Sequence, residues 1–481
     1  MTLVSEHPAV PFAALPEPWA EPAARARIRA THLRHGRRIA VLDDDPTGSQ
    51  TVHGVAVVTA TEPEALAAGL SAPGSTCFVL TNTRSLPEPK AVTLNLAAGR
   101  AVAEVGAQLG SRVAVVSRSD STLRGHVIAE VRALDAARCE ATGRGFDGVL
   151  LAPAYLEAGR CTVDDVHWAR AGGKWVPVGE TEFARDASFG YSASNLREFV
   201  AEKSGGAISA DDVHSIGLDD IRTGGPARVA EILRGVSGGA FVVVNAVEYA
   251  DLEVVVLGVL AAEEAGRSFL YRTGPSFVRA LAGLDPRDPL TAADLWPAGR
   301  PSGHGLVVVG SHVGLTSRQL AALRSRGGLT EIALDVAAVV DPGRRDAHLA
   351  AVTADVAAAL PVSDVLLVTT RTLARGADAA DSLRIARAVS SAVVDVVGRA
   401  RAARPAWVVA KGGITSHDVA VRGLGIRRAA VLGQLLPGQV TVLRPLDAAK
   451  EVVGTPFVVF AGNVGDDTTL SHVVDVLRGR A

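Results

Sequence analysis

Ile39-Ala-Val-Leu-Asp43-Asp44-Asp45-Pro46-Thr47-Gly48 decides the fold and points to much of the chemistry. A short apolar run ends directly in three carboxylates and a turn. A continuous run of this length reads as a strand covered on both faces, as in parallel sheets. In open α/β sheets, ligands bind outside the carboxyl ends of the strands, which is where the three Asp fall. Adjacent carboxylates repel one another and need a cation, hydrogen-bond donors or good solvation. Two uses fit: a substrate-hydroxyl or metal site containing a general base, or a turn and helix cap, for which Asp and Thr are natural.

The pattern recurs along the chain. Further apolar runs are 76–80, 113–116, 149–151, 241–244, 306–309, 365–368, 407–410, 440–443 and 457–460, separated by polar loops and Ala-rich helical stretches. This alternation predicts an α/β fold with mainly parallel sheets flanked by helices. Residues 283–305 (GLDPRDPLTAADLWPAGRPSGHG) are rich in Pro and Gly and lack periodicity, which marks a linker. The expected organisation is a Pro-rich leader and first helix (1–37), a domain over 38–282, the linker, and a second domain over 306–481, with a ligand cleft between the domains.

Composition narrows the function. The 481 residues carry 49 basic and 51 acidic side chains, a formal charge of −2, so no whole-protein field attracts nucleic acid or an anionic membrane. Cys77, Cys139 and Cys161 have no zinc-ligand spacing and cannot all pair. Residues 1–20 lack the basic start and apolar core of a signal peptide, and no run has about 18 uncharged apolar residues. A cytoplasmic protein acting on small molecules is expected. Of the basic residues 44 are Arg, so a Lys kept in a glycine-rich loop, such as Lys411, draws notice.

In the first half, Val113–Val116 runs into Ser117-Arg118-Ser-Asp120-Ser121-Thr122-Leu-Arg124-Gly125-His126. Two Arg six apart suit a carboxylate, and Asp120, Ser121 and Thr122 suit a polyol. Two more strand-end loops bring Arg84 and Arg160 toward the same edge. His167, beside Trp168, reads as a packing residue. Gly143-Arg-Gly145-Phe-Asp-Gly148 matches the letters of a dinucleotide loop but precedes a strand, the wrong context.

The second half has no Walker-type loop. It has instead three strand-to-helix junctions: Gly310-Ser311-His312-Val-Gly314, Lys411-Gly412-Gly413-Ile414-Thr415 and Gly462-Asn463-Val-Gly465-Asp466-Asp467. Glycines let main-chain N–H groups approach a phosphate. Thr415 and Asp418 are expected to form a capping box. Lys411 could neutralise phosphate, and Asp466 or Asp467 could hold Mg²⁺, which favours one or two carboxylates plus phosphate oxygens. A polyol-acid site in one half and a phosphate site in the other point to phosphoryl transfer.

At this point the sequence resembles the four-carbon acid sugar kinases. The matching stretches include DDDPTGSQTVHG (43–54), SRSDSTLRGH (117–126), PAYLEAGRCTVDDVHW (153–168), FLYRTGPSF (269–277), GSHVGLTSRQL (310–320), AKGGITSHDVAVRGLGIRRAAVLGQLLPG (410–438) and FAGNVGDDTTL (460–470). The resemblance implies ATP-dependent phosphorylation of an erythronate, threonate or 3-oxo-tetronate type acid, with a homodimer compatible. It places Asp44, Asp45, Arg84, Arg118 and Arg124 in the sugar-acid site. It places Ser311, Lys411, Gly412, Gly413, Ile414, Gly462 and Asn463 against ATP. Many members read Ala-Asp-Asp-Leu-Thr-Gly where this chain has an extra Asp and a Pro, and Lys where it has Ser117-Arg118, so the acid itself stays open.

The expected mechanism docks the acid's carboxylate on Arg84 and Arg124, while Asp44 or Asp45 takes the hydroxyl proton. The base remains open among Asp43, Asp44 and Asp45. Competing readings are a kinase of a related branched acid, a dinucleotide enzyme, and a sugar-acid sensor without activity.

Overall fold

A computed structural model describes residues 15–310, 313–370 and 379–480, and the chain divides into two compact units. The first is Met1–Gly48 with Thr61–Asp285; the second is Ser49–Ala60 with Pro286–Ala481. The strands in chain order begin β1 (Arg38–Asp43), β2 (Ala56–Val58), β3 (Thr76–Leu80), β4 (Val113–Arg118) and β5 (Gly148–Ala152). They continue β6 (Arg160–Val163), β7 (Val166–Ala171), β8 (Lys174–Pro177), β9 (His214–Ile216), β10 (Ala240–Val244) and β11 (Phe269–Thr273). Those after the expected linker are β12 (Leu306–Val309), β13 (Leu329–Leu334), β14 (Asp364–Thr369), β15 (Val408–Lys411), β16 (Arg428–Leu436), β17 (Val440–Asp447) and β18 (Phe457–Phe460).

In the first unit the order is β3-β1-β4-β11-β5-β10-β9, every pairing parallel. Parallel neighbours need crossovers, which helices such as Glu88–Gln108 and Val127–Thr142 supply. β1, β3 and β5 are buried throughout, as strands covered on both faces must be. Beside this sheet β6, β7 and β8 form a small antiparallel sheet. Its first turn places both Asp164 and Asp165 at positive φ (51° and 63°), the backbone of a tight two-residue hairpin.

The second unit has the order β13-β14-β12-β15-β18-β17-β16-β2. β13, β14, β12, β15 and β18 pair in parallel, whereas β17, β16 and β2 add antiparallel strands at one side. Leu320, Leu366, Trp407, Val409, Phe460 and Val473 are among its fully enclosed core residues.

Two boundary expectations change. Residues 49–60, expected in the first domain, fold with the second unit, where β2 pairs with β16 and Gln434 Nε2 donates to Val52 O at 2.6 Å. The segment 283–305 is no free linker from 286 onward. Leu290 and Leu295 are buried in the second unit's core, Leu290 N donates to Gln434 O at 2.7 Å, and Thr291 caps a short helix, Ala292–Leu295. Its apolar residues recur too sparsely for a periodic signal, yet Leu290 and Leu295 reach the core and Trp296 packs against it.

Candidate functional site

In the first unit the neighbours of β1 are β3 on one side and β4 on the other, so the strand order reverses there, the position at whose carboxyl end open α/β sheets bind ligands. Asp43, the last residue of β1, is in register with Arg118, the last of β4, and Arg118 Nη1 donates to Asp43 Oδ1 at 2.9 Å. Arg84 sits on the single turn Thr83–Ser85 after β3. It reaches Asp44 through Nη2 (2.7 Å) and Nε (3.3 Å), and its Nη1 lies 3.2 Å from Asp45 Oδ2. Asp45 Oδ1 accepts from Thr47 N (2.8 Å) and Thr47 Oγ1 (2.6 Å). A side chain at Gly48 would overlap the Asp43 carboxylate, so glycine is required where the chain turns past it.

The three carboxylates therefore differ. Burial pushes Asp43 up to about 7, Arg118 opposing and its acidic neighbours assisting. Burial also raises Asp44, with Arg84 opposing. At Asp45 burial is outweighed by Arg84, Arg118 and the Thr47 hydrogen bonds, which hold it below the ordinary value. Asp45 is also the most accessible of the three, with 27% of its side chain exposed. The metal use considered for this triplet finds no support in the geometry: Arg118 and Arg84 neutralise it, and among the described residues no three His, Cys, Asp or Glu gather as a metal cage.

The loop after β4 is held from several sides. Asp120 accepts from Arg124 Nε at 2.6 Å and from the Thr122 hydroxyl, and lies 3.9 Å from Arg84. Although burial works against it, Arg84 and Arg124 keep Asp120 well below the usual carboxylate range. Ser121 and Thr122 are buried. His167 Nε2 lies 2.8 Å from Ser121 O and Nδ1 2.9 Å from Thr162 Oγ1. Burial pushes His167 down to about 4, so it is a neutral brace. Tyr191 donates to Thr122 O at 2.6 Å. Leu123 adopts φ +66°, costly for a branched side chain and typical of strain held at a site. At Gly125 (φ +124°) a Cβ would lie 3.1 Å from Asp44 Oδ2 and 3.2 Å from Arg272 Nη2.

Arg84, expected to receive a substrate carboxylate, is instead directed at Asp44 and Asp45, because burying those acids requires a cation beside them. Sequence reasoning passed over Arg272 and Glu130, a fully buried pair beneath this edge, and Tyr191. The signal for Arg272 was a charged residue inside the apolar run FLYRT.

In the second unit β12, β15 and β18 are neighbours, which sets the three glycine junctions side by side. Ser311 lies outside the described residues. Lys411 is fully buried. Its Nζ donates to Ala461 O (3.0 Å) and Gly462 O (3.3 Å) and lies 3.8 Å from the Phe460 ring centre. Burial pushes it down to about 7. Thr316 Oγ1 also donates to Gly462 O (3.0 Å), and Gln319 Nε2 to Val464 O (3.0 Å) and Asp466 O (2.7 Å). These three side chains fix the loop that carries Gly462 and Asn463, and Thr316 and Gln319 were not anticipated. Gly413 opens the helix Gly413–Asp418, Gly412 caps it at φ +118°, and Ile414 is 66% exposed. The expected Thr415–Asp418 capping box does not form: the helix starts earlier, at glycine, and Asp418 accepts from Ser390 Oγ.

Asp466 Oδ1 accepts from Thr468 N (2.9 Å), Thr468 Oγ1 (2.8 Å) and Thr469 Oγ1 (2.9 Å), while Asp467 pairs with Arg318 at 2.8 Å. Asp466 thus keeps one exposed carboxylate oxygen, a donor set that fits Mg²⁺ carried mainly by phosphate and water oxygens.

The fold is that of a two-domain α/β protein, with a carboxylate-and-guanidinium edge in one unit and a glycine-loop edge in the other as candidate sites. A sugar-binding N-terminal domain model matches residues 39–281, and a nucleotide-binding C-terminal domain model matches 306–470. The chain belongs to the four-carbon acid sugar kinase family. A D-erythronate kinase of Heliobacterium modesticaldum (strain ATCC 51547 / Ice1) is 27% identical over 402 residues, 79% of this chain and 83% of that one. Two solved structures share the fold. A Salmonella typhimurium LT2 protein whose description suggests a tRNA synthase has TM-score 0.66 at 18% identity, over 91% of this chain and 98% of its own. A Haemophilus influenzae protein of the DUF1537 family has TM-score 0.62 at 17% identity, over 91% and 100%.

Proposed function

We propose that this protein is an ATP-dependent kinase that phosphorylates a hydroxyl of a small sugar acid, a four-carbon acid such as threonate, erythronate or 3-oxo-tetronate. The observation that carries the reading is the edge after β1, β3 and β4. There an ionised, accessible Asp45 stands among Arg84, Asp120 and Arg124, a set suited to a hydroxylated anion. The similarity to a D-erythronate kinase supports the same class.

In this reading Asp45 accepts the proton of the attacking hydroxyl, and Arg84 keeps Asp44 and Asp45 charged and in place. Asp120 and Thr122 bind substrate hydroxyls, Arg124 binds the carboxylate, and Arg118 and Ser121 shape the pocket floor. Main-chain N–H groups of Gly412, Gly413, Gly462 and Asn463 cradle the ATP phosphates, with Ile414 against the base. Lys411 holds the Gly462 loop in shape and supplies positive charge near the phosphates. Mg²⁺ would be held by Asp466 and would offset phosphate charge. Catalysis is then mainly positioning and charge stabilisation. Such a protein works in the cytoplasm on small molecules, without nucleic acid or membrane as partner.

The test is a coupled ADP-release screen of the full-length protein over erythronate, threonate, 3-oxo-tetronate and branched sugar acids. Turnover with one acid well above the ATP-only rate is expected. No acid-dependent ADP release across the set would overturn the reading in favour of a sensor.

A further inference from the structure

The guanidinium groups at the sugar-acid edge can be sorted by what they pair with. Arg84 is held by Asp44 and Asp45, Arg118 by Asp43, Arg272 by Glu130, and Arg124 by Asp120 with Asp186 at 3.7 Å. Arg160 differs: among the described residues no carboxylate lies within ion-pair distance of it, and its buried Nε has no hydrogen-bond acceptor. The nearby Glu157 is already engaged by Tyr249 (2.6 Å), Ser276 (3.0 Å) and Arg279 (3.2 Å).

The backbone that presents Arg160 is rigid. Its N–H and C=O exchange hydrogen bonds with Tyr155, both 3.0 Å, and Gly159 (φ +64°) makes the turn between them. The guanidinium rests 5.8 Å from the Tyr155 ring centre and 5.7 Å from that of Phe183. Phe183 also carries Arg124, at 5.1 Å, so one aromatic ring holds two cations in the same neighbourhood. Two like charges placed together, one without a counter-ion, are poorly balanced until an anion joins them. Asp120 and Arg124 are both within electrostatic reach of Arg160. An anion binding there therefore lies beside the hydroxyl-binding Asp120 and Thr122.

We propose that Arg160 and Arg124, standing on Phe183, form the carboxylate-binding end of the substrate site, and that Arg160 sets the preference for sugar acids over neutral polyols. The assignment rests on the sugar-acid reading and moves the carboxylate away from Arg84. Guanidinium forks match carboxylates in a bidentate way that a lysine ammonium does not reproduce.

The test uses full-length wild type, Arg160→Gln and Arg160→Lys, with D-erythronate, L-threonate and the uncharged erythritol as probes. Binding is followed by calorimetry and turnover by ADP release. Loss of a charge-assisted contact predicts acid binding about 10–100-fold weaker in Arg160→Gln. KM for ATP and whatever response wild type gives to erythritol should stay unchanged, so the acid-over-polyol preference collapses, and Arg160→Lys should recover part of it. Acid affinity within threefold of wild type in Arg160→Gln, or an equal loss for acid, erythritol and ATP, would overturn the assignment. If wild type binds acid through Arg160 but transfers no phosphate, the kinase reading fails and the assignment stands. If wild type phosphorylates the acid and Arg160→Gln does so with unchanged KM, the reverse holds. No binding of either acid by wild type overturns both.

Discussion

Asp43, Asp44 and Asp45 are consecutive and chemically identical, yet the fold gives them different work. Asp43 closes the end of β1 against Arg118, Asp44 anchors Arg84, and Asp45 alone is both ionised and accessible. A general base typically contributes about 10²–10⁴-fold to rate. Asp45→Asn should lower kcat by that range while the thermal midpoint stays close to wild type, because Asn can still accept from Thr47 through its amide oxygen. Near-normal turnover on the true acid would remove Asp45 from the role. The sequence shows that these carboxylates stand at a strand end. It does not show which guanidinium each one meets, since Arg84 lies 40 residues away and Arg118 lies 75 residues from Asp43. The roles of Arg84 and Arg160 were illegible for that reason.

At the scale of elements, the apolar runs foreseen in the sequence coincide with β1, β3, β4, β5, β10, β12, β14, β15, β17 and β18, because doubly covered strands are uniformly apolar. β2 was too short to show, and β6–β8 carry polar residues on a half-exposed sheet. The antiparallel direction of β17 leaves no mark in an apolar run. The end of β15 is tied to the loop after β18 by Lys411, whose charge the loop carbonyls and the Phe460 ring help to stabilise. Its folded value of about 7 lies below the ordinary 10.5 of a free lysine, so between these the unfolded chain binds more protons and stability should rise with pH. ATP affinity should fall across the same interval as the ammonium is lost. Denaturant titrations and calorimetry across that range check both trends. Lys411→Met should flatten them; a variant with the wild-type slopes would show that another group is responsible.

For the whole molecule, the chain passes between its two units at Gly48/Ser49, Ala60/Thr61 and Asp285/Pro286. Three crossings, where a single linker was expected, tie the second unit's outer strand to residues that come early in the chain. β2 pairs with β16, Gly54 N donates to Val431 O at 2.8 Å, and Thr59 Oγ1 to Ile426 O at 2.8 Å. A fragment holding only 286–481 would leave the β16 edge bare, and unpaired edges invite association. That fragment should self-associate in sedimentation experiments, and a synthetic 49–60 peptide should raise its melting temperature. A monomer indifferent to the peptide would contradict this.

The patch formed by 49–60 also bears on how such genes can recombine. A chimera joined near residue 285 inherits its early patch from one parent and the β16 that must accept it from the other. Swaps that carry 49–60 along with the second half should therefore yield more folded hybrids than swaps cut at the single obvious boundary.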